Sequence, residues 1–153
     1  MNLNEGLWLR ITRLLPAARE EVWRSLTDPE RVPQWFGPKG FSSPGVEFEP
    51  QVGAGLRIAM QPPDGEPFHL LGEFREVEAP SRLSYTFIWN PPDPDDRETV
   101  VTLTLAEHGP QTEITVVQGE FATAERLELH REGWTDSVER LEQSLRRPEG
   151  SAQ

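Results

Sequence analysis

The chain has 153 residues, a formal net charge of −11 and no cysteine. The length predicts one domain, and the missing cysteine excludes disulfides, thiolate catalysis and thiolate metal sites. The negative charge disfavours nucleic acid and anionic membrane surfaces as partners. The sequence shows neither an apolar run long enough to span a membrane nor a secretory signal. The lack of cysteine also fits a cytoplasmic protein.

The first elements are a strand and two short helices. Alternating apolar residues predict a strand over 7–15, and an apolar face with acidic residues in its first turns predicts a helix over 17–27. Asp28 and Pro29 are typical of the start of a second short helix, which ends at Gly37.

Three apolar residues of this second helix, Val32, Trp35 and Phe36, share one face because they are spaced by three and four positions. A further ring, Phe41, follows closely. This concentration of rings predicts that the segment packs against the interior of the domain rather than lying in solvent.

The rest of the chain is predicted to be six antiparallel strands and one long helix. Period-two alternation and turn residues place the strands at 45–50, 56–60, 68–77, 82–89, 99–107 and 112–118. An apolar stripe, which includes His130 and Trp134, predicts the helix over 123–147. One domain over 7–147 therefore lies between a short tail, 1–6, and a polar tail, 148–153, which we expect to be disordered.

This order of elements predicts the α+β class. An antiparallel sheet of six or seven strands that curves needs an element across its concave side. The long C-terminal helix is the only predicted element large enough, so we expect the sheet to wrap around it, with the two short helices following the first strand.

Several short motifs, taken in order, resemble one family. They are VW at 22–23, TDPE at 27–30, WFGP at 35–38, a PDG turn followed by GEF at 72–74, EAPSRLSYT at 78–86, and GW at 133–134. The sequence resembles the activator of heat-shock protein 90 ATPase homologue-like proteins, of the START/Bet v 1-like (SRPBCC) superfamily of helix-grip folds. The resemblance implies a curved sheet gripping the C-terminal helix, with a cavity between them.

The candidate ligand-binding residues are mostly large apolar side chains predicted to point into that space. They are Trp35, Phe36, Phe41, Met60, Phe74, Tyr85, Phe87, Trp89, His130 and Trp134. These side chains form either an apolar ligand pocket or an ordinary filled core.

Four of these side chains have polar atoms that could meet a ligand: Tyr85, Trp89, His130 and Trp134. Gly133 lies within the predicted helix, where glycine costs about 1 kcal/mol relative to alanine. Its missing side chain either lets helix and sheet pack closely or opens the pocket beside Trp134.

Catalytic and metal-binding motifs are absent from the sequence. No GxSxG motif occurs, and His69, His108 and His130 lack the spacing of metal ligands. No carboxylate is identified as a general acid or base. We therefore expect no metal, no cofactor and no catalytic residue.

Three functions remain open at this point. The first is binding of a small apolar or amphipathic molecule between sheet and helix. The second is a co-chaperone-like role, in which the acidic loop 90–98 or the Glu-rich outer helix face docks on a chaperone. The third is a polyketide cyclase or aromatase, in which Tyr85, His130 or Trp134 orients the substrate. The resemblance is compatible with each of them.

Overall fold

The computed structural model describes residues 6–146. The predicted tails therefore lie outside the described residues, apart from Gly6. Seven strands form one antiparallel sheet, with spatial order β1-β7-β6-β5-β4-β3-β2. The strands are β1 (Leu9–Leu15), β2 (Val46–Phe48), β3 (Gly55–Met60), β4 (Phe68–Glu78), β5 (Arg82–Asn90), β6 (Thr99–His108) and β7 (Gln111–Gly119). The curved sheet and the C-terminal helix confirm the predicted α+β helix-grip fold.

Two α-helices accompany the sheet. Helix α1 (Arg19–Thr27) follows β1, and helix α2 (Ala124–Arg146) follows β7. Helix α2 buries a stripe of side chains against the concave face, namely Leu127, Trp134, Ser137, Val138 and Leu141. Among the described residues, neither helix is both long and apolar enough to cross a membrane.

The second short helix is shorter than the sequence predicted. Only Val32–Gln34 form a helix, and it is of the 3-10 type. Pro33 lies inside it and removes a backbone donor, and a proline ring also disfavours helical geometry at the residue before it. The segment nevertheless turns tightly enough to bury Val32, Trp35 and Phe36 on one side, as the spacing predicted.

The predicted inward orientation of the large side chains of β5 is confirmed. Tyr85 and Phe87 are buried on the inner face, and Trp89 is partly buried at the end of the strand. The strand pairs with β4 through Trp89 opposite Leu70 and Tyr85 opposite Phe74. This register sets the inward rings of the two strands side by side.

Candidate functional site

A cavity of about 440 Å³ lies between the inner face of the sheet and α2. Four parts of the chain line it. The sheet contributes Met60, Phe68, Phe87 and Trp89. Helix α2 contributes Arg126, Leu129, His130, Gly133, Trp134 and Ser137. The segment after the 3-10 helix contributes Phe36, Gly37, Pro38 and Phe41, and the loops contribute Glu66, Pro67, Pro91, Asp93 and Asp96. Since Leu129, Glu66 and Asp93 are exposed, the cavity opens to solvent on their side.

Seven of the ten residues predicted for the site line this cavity: Phe36, Phe41, Met60, Phe87, Trp89, His130 and Trp134. The other three, Trp35, Phe74 and Tyr85, line a separate void of about 20 Å³. A void of that size holds about one water molecule. The structure therefore places these three side chains in the packed core between the sheet and the 3-10 helix.

Tyr85 illustrates the difference between the inner face and the cavity. Its side chain is 5% exposed, and burial raises the pKa of its phenol well above the usual range. Tyr85 and Trp89 point to the same face of β5, but four residues of strand, about 13 Å, separate them. Only the Trp89 end of the strand reaches the cavity.

The rings of the cavity wall contact each other edge to face. The Trp89 ring centroid lies 5.1 Å from that of Phe68 and 4.9 Å from that of Phe87. Phe36 meets Trp134 in the same way at 5.9 Å. Such T-shaped pairs are a favoured arrangement of aromatic quadrupoles, so the wall is a continuous aromatic surface.

The indole donors of the cavity are bonded within the protein. The Trp89 Nε1–H donates to His130 Nε2 at 3.2 Å, and the Trp134 Nε1–H donates to Gln118 Oε1 at 2.7 Å. The sequence had suggested both donors for a ligand. In the structure both are committed to protein acceptors.

Gln118 is a buried polar residue that the sequence analysis missed. It is fully buried, and its Nε2–H donates to Thr99 Oγ1 at 2.9 Å. The alternation of β7 could have predicted its burial, because Ile114 and Val116 point inward and Gln118 is the next residue in the same series. The amide fixes the orientation of the Trp134 indole against the sheet.

His130 is uncharged at neutral pH. Burial, and secondarily the positive charge of Arg126, lowers the pKa of its imidazole to about 4. Since Nε2 accepts the hydrogen bond from Trp89, the neutral ring carries its proton on Nδ1. Phe121 and Phe87 pack against the ring with centroids 4.8 and 5.4 Å away.

The WFGP segment, residues 35–38, forms one wall of the cavity. Trp35 is 3% exposed and Phe36 is 5% exposed. The Trp35 Nε1–H donates to the Ser25 carbonyl at 2.9 Å, and its ring lies 6.4 Å from that of Trp134. The segment is therefore bound to α1 on one side and to α2 on the other.

Helix α2 holds the backbone of the same segment. Ser137 Oγ accepts from Gly37 N at 2.8 Å and donates to Gly37 O at 3.3 Å. Arg140 donates to the carbonyls of Phe36 at 3.1 Å, Gly37 at 3.2 Å and Pro33 at 3.4 Å. The acceptors of Arg140 are all backbone carbonyls, and no carboxylate takes part in these contacts.

Two glycines of the wall differ in what they tolerate. Gly37 has φ +106°, and an added Cβ would lie 2.9 Å from Met60 Cε. The positive φ requires glycine, whereas the contact is with the end of a flexible methionine side chain that can shift. At Gly133 an added Cβ would lie 3.7 Å from Pro38 Cγ, an ordinary contact. Close packing therefore does not require glycine at 133, and its missing side chain adds space to the cavity.

An arginine and three aspartates form the other side of the mouth. Arg126, in the first turn of α2, forms ion pairs with Asp93, with Asp95 at 2.9 Å and with Asp96 at 3.5 Å. The Thr123 hydroxyl donates to Asp95 at 3.3 Å and accepts from the Arg126 backbone at 3.0 Å. Hydrogen bonding to Arg126 lowers the pKa of Asp95 below its usual range.

Sequence reasoning identified the acidic 90–98 loop but missed its partner. Arg126 lies one turn before His130 on the cavity side of α2. The spacing of four residues between them could have predicted that Arg126 shares the helix face of His130. The 90–98 loop thus folds back onto α2 rather than presenting all its carboxylates to solvent. Within residues 6–146, no group of three or more His, Asp and Glu side chains is arranged to hold a metal ion.

Comparison with known proteins identifies relatives of the whole fold. The family model described as Activator of Hsp90 ATPase homolog 1-like protein matches residues 16–146. A crystal structure of a protein from Chromobacterium violaceum is 25% identical with a TM-score of 0.83, over 92% of this chain and 98% of that chain. The structure of a protein of the same family from Silicibacter pomeroyi is 26% identical with a TM-score of 0.79, over 90% and 96% of the two chains.

A third similar structure is that of a protein in the dynemicin biosynthetic locus. It is 28% identical with a TM-score of 0.73, over 90% of this chain and 46% of that chain. No curated protein matches the sequence. From the family match over residues 16–146 and the related structures, the chain belongs to the Activator of Hsp90 ATPase homolog 1-like protein family.

Proposed function

We propose that the protein binds a small apolar or amphipathic molecule in the cavity between the sheet and α2. The observation that carries this proposal is the cavity itself: it measures about 440 Å³, is open at one side, and has aromatic side chains at seven of its 19 lining residues. Ligand pockets of proteins have volumes in this range and are lined in this way.

The energy of an empty cavity supports an occupant. An unfilled apolar cavity that is closed to solvent costs about 24 cal/mol per Å³. Because this cavity opens to solvent at one side, water can fill its mouth, and the cost falls only on the inner apolar part of the 440 Å³. Water would need two to four polar partners per molecule, whereas the indole donors of the wall are already bonded to His130 and Gln118. An apolar occupant suits the inner part of the cavity better than water does.

The distribution of polar groups defines an orientation for the ligand. The inner part is formed by rings such as Phe36, Phe87 and Trp134, while the charged groups Glu66 and Asp93 stand at the exposed side. A bound molecule would place its apolar body inside and any polar end at the mouth.

The other two functions receive no specific support. For a co-chaperone role, three carboxylates of the 90–98 loop are engaged by Arg126, so the exposed glutamates on the outer face of α2, Glu125, Glu128 and Glu132, are the better candidate docking surface. For a cyclase, Tyr85 does not line the cavity and the Trp134 Nε1–H is bonded to Gln118, so of the three residues suggested only His130, through its Nδ1–H, could orient a substrate.

Native mass spectrometry of the purified protein tests the proposal first, because a retained mass would identify the class of ligand. A titration with 2-(2-naphthyl)ethanol, followed by isothermal calorimetry and melting temperature, tests the ligand-free protein. We expect saturable binding and a raised melting temperature. No binding of this or any other apolar probe, together with no retained mass, would show that the space is only an imperfectly packed core.

A matched pair of variants locates the binding. Gly133→Leu fills the cavity from α2 and should abolish binding of the naphthyl probe. Glu132→Leu adds the same side chain at the neighbouring exposed position and should leave binding intact. Equal loss in both variants, or in neither, would place the probe elsewhere on the protein.

A further inference from the structure

The charged groups around the mouth of the cavity are predominantly negative. Among the described lining residues, Glu66, Asp93 and Asp96 supply carboxylates, and Arg126 supplies the one permanent cation. His130 does not offset the imbalance, because burial lowers the pKa of its imidazole to about 4 and leaves it neutral at pH 7.

Arg126 is already occupied by protein carboxylates. Its guanidinium meets Asp93, Asp95 and Asp96, and its side chain is only 16% exposed. A carboxylate or phosphate of a ligand at this guanidinium would lie beside these aspartates. Like charges at such distances disfavour binding.

The cavity wall is also compatible with a cation. Phe68, Trp89 and Phe87 line it and pack edge to face on one another, and the faces of such rings attract ammonium groups. Two donors of the wall are engaged inside the protein: Trp89 Nε1–H with His130, and the Ser137 hydroxyl with the Gly37 carbonyl. The His130 Nδ1–H, a neutral donor, stays open to a ligand of either kind. The cavity therefore combines an apolar volume, aromatic rings and a carboxylate-lined exit.

We propose that the ligand of this cavity is a hydrophobic amine: an apolar, ring-sized body in the aromatic part and an ammonium group at the carboxylates of the mouth. This inference rests on the proposed function and narrows it. Neutral amphipathic molecules bind more weakly than the amine, and fatty-acid-like anions bind most weakly. The formal net charge of −11 also attracts cations at long range. The experiment must therefore separate the effect of the carboxylates at the mouth from that of the net charge of the whole protein.

Three probes with one body make the test. They are 2-(2-naphthyl)ethylammonium, 2-(2-naphthyl)ethanol and 2-naphthylacetate, with dissociation constants measured by isothermal calorimetry at pH 7 in low salt. We expect the ammonium to bind at least about tenfold more tightly than the carboxylate, with the alcohol between them. The gap should narrow in high salt, because exposed charges are screened.

Two variants assign the preference to the mouth. Asp93→Asn removes a lining carboxylate that contacts Arg126, and Glu66→Gln removes one that takes no part in the aspartate cluster. Each should lower the ratio of ammonium to carboxylate affinity about two- to fivefold. The control, Glu47→Gln with Glu49→Gln, removes two exposed carboxylates on and beside β2 that do not line the cavity.

The outcomes distinguish this inference from the function on which it rests. If none of the three probes binds, the proposed function itself is contradicted. If the alcohol binds and the carboxylate binds as tightly as the ammonium, the cavity is a ligand site but the amine preference is overturned. A drop in the control variant equal to that in Glu66→Gln would also overturn it, because the preference would then belong to the net charge.

Discussion

Two sides of the same cavity are built in different ways. The WFGP segment is held by buried rings and by uncharged backbone acceptors, and Arg140 alone donates to three carbonyls. The 90–98 loop is held mainly by ion pairs to Arg126, and its Asp93 side chain is 65% exposed. One side is part of the core, and the other is attached to it by charge.

The difference indicates which side opens. Apolar burial is insensitive to salt and to most of the pH range, whereas partly exposed ion pairs are screened and are lost on protonation. Segments held by few buried contacts open at low free energy. The rings of the WFGP segment therefore act as a fixed wall, and the 90–98 loop is the part through which a ligand would enter.

The largest expected effect concerns the fixed wall. Trp35→Ala removes a 3% exposed indole and its hydrogen bond to Ser25, so we expect a loss of about 3–5 kcal/mol in the free energy of unfolding. Trp8→Ala, at a 48% exposed indole, is the control and should cost about 1 kcal/mol. Urea denaturation measures both, and equal costs would contradict a structural role for the WFGP segment.

The pH dependence of stability separates the buried imidazole of His130 from the ion pairs of the loop. Because the pKa of His130 falls from 6.5 to about 4 on folding, the unfolded chain binds a proton that the native protein does not. Stability from this group is complete above pH 6.5 and is lost as the pH falls towards 4, by about 3 kcal/mol in total. The Asp95 pKa is lowered, so its ion pair persists over that interval.

Urea denaturation between pH 7 and pH 4 checks this for the native protein and for His130→Gln. The variant should show a shallower fall in the free energy of unfolding, since His69 and His108 are present in both proteins. Parallel curves would mean that folding does not lower the pKa of His130.

Arg140→Met should loosen the fixed wall. Each of its hydrogen bonds to a carbonyl involves a charged donor, and their loss is expected to cost about 1.5–3 kcal/mol. Arg131→Met is the control, because Arg131 is partly exposed and its ion pair with Glu128 lies along one helix. That change should alter the unfolding free energy by about 0.5 kcal/mol or less.

Arg126→Met should release the loop and leave the wall in place. We expect a cost of about 1–2 kcal/mol, between the values for surface and buried ion pairs. The amides of Asp93 and Asp96, which bond within the loop, should exchange hydrogen faster, while that of Gly37 should not change. Faster exchange at Gly37 as well would contradict the independence of the two sides.

The smallest expected effect has the opposite sign. Gly133→Ala should raise the unfolding free energy by about 0.5–1 kcal/mol, because alanine favours the helix and its Cβ meets Pro38 at an ordinary distance. Gly37→Ala makes the same chemical change where φ is +106° and should be destabilising. Thermal unfolding compares them, and destabilisation in both would mean that packing, not cavity space, requires Gly133.

The sequence predicted the fold from local patterns that the structure keeps. Alternation in 82–89 identified the inward rings of β5, and the stripe on 123–147 identified the helix that the sheet grips. Alternation predicts which face of the sheet a side chain occupies, but not where along the strand the cavity begins. It could therefore not distinguish Trp89, which lines the cavity, from Tyr85, which lies in the packed core.

The charged side of the mouth could not be predicted for a different reason. Asp93 and Arg126 are 33 positions apart in the chain, and no local rule brings a loop carboxylate to a particular arginine. Likewise, the donor of Trp134 was taken as available because its acceptor, Gln118, is on strand β7 and not on α2. Both contacts depend on how the sheet curves around α2.

The most direct test of the cavity as a ligand site uses the five tryptophans of the chain as reporters. Their indole N–H signals can be followed by two-dimensional NMR during titration with 2-(2-naphthyl)ethylammonium. We expect saturable chemical-shift changes at Trp89 and Trp134, which line the cavity, and none at Trp8 or Trp23. Shifts confined to the latter two, or no saturable shift at any indole, would contradict it.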